Sequence, residues 1–235
     1  MTRAPLLIST QNAHKLDEFR RLLDGIELRG YGEDLPATEV IEDQDTYLGN
    51  AILKAEAGIQ RYSGLCLADD SGLEVDALHG APGIHSARYV QGSDQDRYMA
   101  LLNALHNSNQ EERTARFRSV LVLAGLSNED VQRVNQALQV QKIPAEQRDQ
   151  FGHGSLWIND QNMIIAEGVV NGIIGDHPYG LGGFGYDPIF YLEDGRSMAA
   201  IDATEKDRWS HRGRAARLIL PTLKILFDKT QSINY

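Results

Sequence analysis

Short apolar runs alternate with amphipathic stretches along most of the chain, and this alternation predicts an α/β fold of buried strands and one-sided helices. Leu6-Leu7-Ile8 is the first such run, and it ends in the polar turn Ser9-Thr10-Gln11-Asn12. Over residues 13–23, Leu16, Phe19, Leu22 and Leu23 fall on one helical face. Gly25 and the Gly30-Tyr31-Gly32 stretch break that pattern, and an acidic run over 39–45 leads into a second helix. Its apolar face carries Leu48, Ala51, Ile52, Ala55 and Ile59, with Asp45 as the expected cap and Gly64 as the stop. Leu65-Cys66-Leu67-Ala68 predicts a second buried strand. It is expected to end in an acidic turn, Asp69-Asp70-Ser71-Gly72, before an alternating segment over 73–77. A third helix fits 94–106, and a core strand fits 116–125.

Further along, residues 127–154 are polar and Gln-rich, with no strong period. They read as an insertion in a single domain spanning 1–235, with a short helix around 128–140. Residues 157–165 predict a hairpin that turns over Asn159-Asp160-Gln161-Asn162. A Gly-rich loop at 175–186 precedes a strand at 189–192, and a last helix at 205–227 should kink or break at Pro221.

Composition narrows the function classes. A chain of 235 residues suits one large α/β domain or two intimate lobes. The one cysteine, Cys66, excludes an internal disulfide framework and a Cys-rich zinc site. No apolar run approaches the ~20 residues needed to span a bilayer, and residues 1–7 are too short for a signal segment. The expectation is a cytoplasmic protein with no membrane partner. The net charge of −10 argues against a nucleic-acid partner, which wants a basic face. It leaves room for a polyanionic small molecule bridged by a divalent cation.

Several segments carry candidate chemistry. A polar turn between a strand and a helix presents free backbone N–H groups and the positive end of the helix dipole, an anion site. Lys15 in the first helical turn fits bound phosphate there, or is a solvated lysine. The adjacent carboxylates Asp69 and Asp70 fit a magnesium site, with Glu42 as a further oxygen ligand, or an ordinary Asp-Ser-Gly turn. Asn50 and Lys54 lie four apart on one helical face, where Lys54 reaches phosphate or is a solvated edge residue. The run Gly180 to Gly185 matches G-x-G-x-x-G, but Tyr186-Asp187-Pro188 and a strand follow instead of a helix, which excludes the dinucleotide reading. It reads as a mobile base-binding loop, with Phe184 stacking on a purine and Asp187 accepting a ring N–H, or as a tight turn with a buried Phe. Ser210-His211-Arg212, with Lys206 nearby, fits a phosphate or keto-oxygen site, or a charged helix surface. The remaining histidines lack zinc-protease spacing.

Six segments, taken in order, carry a resemblance: Ser9 to Lys15 with Glu18, Asn50 to Ala55, Ala68 to Leu78, Gly80-Ala81-Pro82-Gly83, Gly183 to Phe190, and Ser210 to Gly213. Together they resemble the inosine triphosphate pyrophosphatase family, also called the XTP/dITP diphosphatases. The resemblance implies a mixed central sheet flanked by helices, in two lobes around a deep active-site cleft, and a homodimer. It implies magnesium and hydrolysis of ITP, XTP and dITP to monophosphate and pyrophosphate. It places the phosphate loop on Thr10, Gln11, Asn12, Ala13, His14 and Lys15, with Lys54 and Ser71 as further substrate contacts. It places the metal-binding acid on Glu42, helped by Asp69, and the metal ligand and proton acceptor on Asp70. The base falls to Phe184, Gly185, Tyr186 and Asp187, with Lys206, His211 and Arg212 completing the pocket. Three features depart from the family pattern: Gln11 stands where glycine is usual, Gly49 stands where glutamate is usual, and the stretch from Ser127 to Gly154 is longer than expected. A pyrophosphatase of modified pyrimidine nucleotides (Maf-like) and a non-catalytic nucleotide-binding module are the competing readings.

Overall fold

The computed structural model describes residues 3–31, 35, 40–142 and 154–228. Strand β1 (Leu6–Ser9) is buried along its whole length. It pairs in parallel with β2 (Leu28–Gly30) and β3 (Cys66–Val75), Leu6 facing Leu28 and Leu7 facing Cys66. Parallel neighbours need crossover connections, supplied here by α1 (Ala13–Leu22) and α2 (Tyr47–Ile59). The chain continues through α3 (Asp94–Ala104), β4 (Thr114–Ala124), α4 (Asn128–Leu138), β5 (Gln141–Lys142), β6 (Leu156–Ile158), β7 (Ile164–Ile174), β8 (Phe190–Tyr191), α5 (Ala203–Trp209) and α6 (His211–Phe227). Among the described residues the strands form one mixed sheet in the order β2-β1-β3-β4-β7-β6-β5, with β8 on β7. The predicted mixed α/β fold is therefore present, and the hairpin over 157–165 forms as the antiparallel pair β6–β7. No described helix is long and apolar enough to cross a membrane.

The chain divides into two compact units. The first comprises Met1–Asp70, Val120–Gly168 and Ala215–Tyr235, and the second Ser71–Ser119 and Val169–Arg214. The first has a core around Leu6, Ile8, Phe19, Leu67, Leu121 and Leu223, all fully buried or nearly so. The second is built around Leu73, Leu101, Val170, Ile189 and Phe190.

Four expectations change. The acidic turn at 69–72 does not form; β3 runs unbroken through Asp69 and Asp70, both buried. Successive strand side chains leave on opposite faces, so the neighbouring carboxylates diverge, and each meets a lysine, as described below. The cap of α2 is Thr46, whose Oγ1 accepts the Gly49 N–H at 3.0 Å, because helical dihedrals begin at Tyr47 and leave Asp45 outside. The segment after Ser127 is helical where expected, but it is built into the core. A Ser127–Asp130 capping box starts α4, Val134 is fully buried, Val131 and Leu138 pack beside it, and Asp130 pairs with Arg3 at 2.6 Å. Finally, the last helix breaks at Ser210, not at Pro221, which lies within α6. Ser210 is extended, with ψ 155°, and its Oγ accepts the Gly213 N–H at 3.0 Å, restarting the helix. Gly213 is required there, since a Cβ would collide with the Asp207 carbonyl. Gly32, Glu39 and residues 143–153 lie outside the described residues.

Helix α2 meets β3 at Gly58, where an added Cβ would run into Cys66 Sγ. Gly58→Ala should therefore lower stability by about 1–3 kcal/mol through overpacking, despite alanine's higher helix propensity. Denaturant unfolding should show this loss, and Cys66→Ala in the same chain should return part of it.

Candidate active site

Four elements of the first unit bring charge together. β1 ends in the polar turn, where Asn12 caps α1 by accepting the Lys15 N–H at 3.2 Å, and Thr10 Oγ1 accepts the Asn12 N–H at 3.1 Å. Gln11, Asn12, Ala13 and His14 are exposed. Among the described residues the non-glycine positions with positive φ are His79, Gln139 and Asn162, so Gln11 carries no left-handed strain. Lys15 does not wait on phosphate for neutralisation, as its sequence position suggested. Its Nζ lies 2.8 Å from Asp69 Oδ2, a carboxylate with no exposed side-chain surface.

Asp70 is served by α2. Ser9 Oγ donates to the Lys54 carbonyl at 2.9 Å, fixing this turn of α2 against the end of β1. Lys54 Nζ then reaches three oxygens: Asp70 Oδ1 at 2.7 Å, Glu42 Oε1 at 3.0 Å and the Asp69 carbonyl at 3.2 Å. Both carboxylates thus lie within 3.0 Å of one nitrogen, so their oxygens are no farther apart than those two distances allow. Asn50, fully buried, spans the same group: its Nδ2 donates to Asp70 Oδ2 at 3.4 Å, and its Oδ1 accepts the Gln44 N–H at 3.1 Å. Burial raises the Asp70 pKa above its ordinary value, outweighing the lowering by Lys54 and Lys15. Burial also pulls Lys54 down, but the Asp70 and Glu42 carboxylates outweigh it, and the net shift is up.

Glu42, Asp70 and the Asp69 carbonyl are hard oxygen donors already gathered around a positive charge, and this donor set fits a divalent cation of the magnesium or calcium type. The Asp69 carboxylate is not part of it, because the strand pleat aims that side chain at Lys15. Among the described residues, no three His, Cys, Asp or Glu side chains gather as a metal-binding group. Gly49 lies in the first turn of α2, not in the helix interior, so its helix cost is smaller than its family departure suggests. A Cβ there would press on Gln44 Cβ at 2.7 Å, so the chain uses this glycine to bring the 42–44 segment close to α2.

The second unit gathers the aromatic and donor residues. Asp187 Oδ2 accepts the Lys206 ammonium at 2.6 Å and the Phe184 N–H at 2.8 Å, so it acts on its own loop and on Lys206. Lys206 Nζ sits 4.5 Å from the Phe184 ring centroid, and Arg212 Cζ sits 5.8 Å from it. Arg212 is 1% exposed and donates to Ser71 Oγ at 2.9 Å. The restart of the helix at Ser210 turns His211 inward, where its ring stacks on Phe117 with centroids 4.8 Å apart. Tyr186 donates its hydroxyl to the Ser86 carbonyl at 2.9 Å, and burial pushes its pKa up, keeping it a donor. The Gly185 N–H donates to Asp94 Oδ2 at 2.6 Å. Asn50, Ser86, Asp94 and Phe117 carry these groups without having been assigned from sequence. Only Asn50 had a visible signal, its place one helical turn before Lys54.

Fold and side chains define a class: a mixed-sheet α/β protein equipped for phosphate chemistry. Residues 6–222 match the Ham1 family. A dITP/XTP pyrophosphatase of Symbiobacterium thermophilum is 37% identical over 97% of this chain and 100% of its own length. One of Bacillus subtilis is 34% identical over 93% of this chain and 96% of its own length. Among solved structures, the Ham1 protein of Staphylococcus aureus superposes with a TM-score of 0.71 at 32% identity, covering 94% of this chain and 98% of that one. The chain belongs to the Ham1 family.

Lys54 is the counter-charge for two carboxylates. Lys54→Met should cost about 3 kcal/mol at pH 7.5, since it leaves a buried carboxylate uncompensated. With its pKa raised, Asp70 is stabilised by protonation, so the deficit should shrink as the pH falls towards 5. In the unmodified protein, the raised Lys54 pKa makes its contribution complete through neutral pH and lost only as the pH climbs past 10.5. Thermal melts of both proteins across this range check the sign.

Proposed function

We propose that this protein hydrolyses non-standard purine nucleoside triphosphates, namely ITP, dITP and XTP, to the monophosphate and pyrophosphate. One observation carries the reading: the convergence of Glu42, Asp70 and the Asp69 carbonyl on the Lys54 ammonium, in a chain whose relatives bear the name dITP/XTP pyrophosphatase. The reading includes a homodimer, which rests on the family resemblance, and a cytoplasmic location, which rests on composition.

Each residue has a definite task. The exposed turn at Gln11 to His14 lies at the N-terminus of α1, where the helix dipole favours phosphate oxygens. Lys15 and Lys54 carry the positive charge that offsets charge building on the phosphates during transfer. Buried Asp69 keeps Lys15 charged and aimed. Glu42 and Asp70 would hold a magnesium ion, which when bound would supply further charge neutralisation and make water a better nucleophile. Asp70 accepts the proton that the water releases as its oxygen bonds to the α-phosphorus and the bond to pyrophosphate breaks. Its raised pKa moves it towards the working range of a general base. In the second unit, Phe184 stacks on the base, and Lys206 and Arg212 donate to acceptors on its edge. These two side chains have donors and no acceptors, so they suit a 6-keto oxygen and meet the 6-amino group of adenine badly.

Incubation with ITP, XTP, dITP and ATP, with and without magnesium, should release pyrophosphate and monophosphate from the first three, and little from ATP. Orthophosphate with a diphosphate would overturn the reading. Magnesium-dependent binding with no product would make the protein a binding module.

Asp70→Asn should lower kcat by about 10²–10⁴, with KM changed far less.

A further inference from the structure

The Phe184 ring is flanked by two cations, and its usefulness as a platform depends on where the backbone holds it. Phe184 is attached on both sides. Its own N–H bonds to Asp187 Oδ2, and the next N–H, that of Gly185, bonds to Asp94 Oδ2 at 2.6 Å. The first bond is local to the loop. The second comes from a residue 91 positions away in sequence, on a different element.

Asp94 is well built for that role. It is the first residue of α3, whose Ser93 cap and Asp96 form a capping box, and Leu101 buries the helix in the second unit's core. A carboxylate in the first turn is favoured by the helix dipole. Its other oxygen, Oδ1, accepts Arg97 Nη2 at 2.6 Å, and Arg97 Nη1 donates to the Gly92 carbonyl at 2.8 Å. These contacts hold the carboxylate in one orientation. A bond from a backbone N–H to a carboxylate is also stronger than one to a neutral acceptor. The cap and capping box belong to Ser93 and Asp96, so starting the helix does not depend on Asp94.

We propose that Asp94 is a positioning residue for base recognition, anchoring the Gly185 peptide so that Phe184 is presented at a fixed height and tilt. The inference rests on the base-binding role given to Phe184 above. It predicts an effect on substrate affinity and base selectivity, with the chemical step left intact.

Three variants separate this role from simple helix stability. Asp94→Ala should raise KM for ITP about tenfold, the loss of one charge-assisted hydrogen bond, while kcat stays within about twofold. The preference for ITP over ATP should narrow in the same variant. Asp94→Asn, which keeps an acceptor oxygen, should fall between it and the unmodified protein. Asp96→Ala removes the capping box from the same helix and should leave KM near its original value. An unchanged KM in Asp94→Ala, or an equal rise in Asp96→Ala, overturns the proposal. Hydrogen exchange at the Gly185 amide reads the anchor without any turnover: it should be slow in the unmodified protein and fast in Asp94→Ala. Equal exchange in the two would sink the anchor itself. Slow exchange in a protein that releases no pyrophosphate from ITP would instead sink the reading of the activity.

Discussion

Two carboxylates on consecutive residues of a buried strand impose the strongest constraint on this molecule. Neither Asp69 nor Asp70 can remain ionised in that setting without a partner, because burying a lone charge costs several kcal/mol. The partners come from two different helices, Lys15 from α1 and Lys54 from α2. The strand therefore cannot take its place unless both helices are docked in one register. Stability and chemistry thus share the same bonds. The contacts that let β3 stay buried also set Glu42 and Asp70 within reach of one point, beside the exposed turn that opens α1.

This dependence also explains the main failure of pattern reading. Adjacent acids after an apolar run look like a turn, since a charge within a buried strand is costly. That cost is removed by lysines 54 and 16 residues away in sequence, and no local pattern reports them. The elements around the pair were legible for the ordinary reason. The apolar run over 6–8, the face formed by Phe19 and its neighbours, and the run over 65–68 each bury against a common core, and burial is what hydrophobic periodicity encodes. The ordered motifs carried the family, because each preserves residue types that a short segment displays by itself. Contacts between segments were hidden: the stack of His211 on Phe117 and the bond from Gly185 to Asp94 join residues that no spacing rule connects.

The end of the chain shows the same competition between local and tertiary preference. Proline normally marks the weak point of a helix, yet α6 passes through Pro221, and the break falls at Ser210. At Ser210 a hydroxyl captures the N–H of Gly213, and the missing side chain of Gly213 lets the backbone approach the Asp207 carbonyl. That corner directs His211 and Arg212 into the second unit. Around Pro221, Ile219 and Leu223 are fully buried, and their packing offsets the one helical hydrogen bond that proline cannot make. A function-bearing corner is thus encoded by a serine and a glycine three residues apart, while the conspicuous proline marks nothing structural.

The recognition side raises a question of selectivity that its chemistry can narrow. Lys206 and Arg212 are donors only, so they can separate a 6-keto purine from adenine by leaving a donor facing a donor. They cannot separate ITP from GTP in that way, because hypoxanthine and guanine carry the same keto group at position 6. Rejection of guanine must act on its 2-amino group by facing it with another donor, because denying space there would also exclude xanthine, whose 2-keto oxygen takes the same place. Which group meets that position depends on the height and tilt of the ring on which the base stacks. Under the proposed reading Phe184 is that ring, and its backbone is held by carboxylates before and after it. Lys206 and Arg212 would then discriminate against adenine by electrostatics, and the rigidity of the Phe184 loop would set which group the 2-position meets.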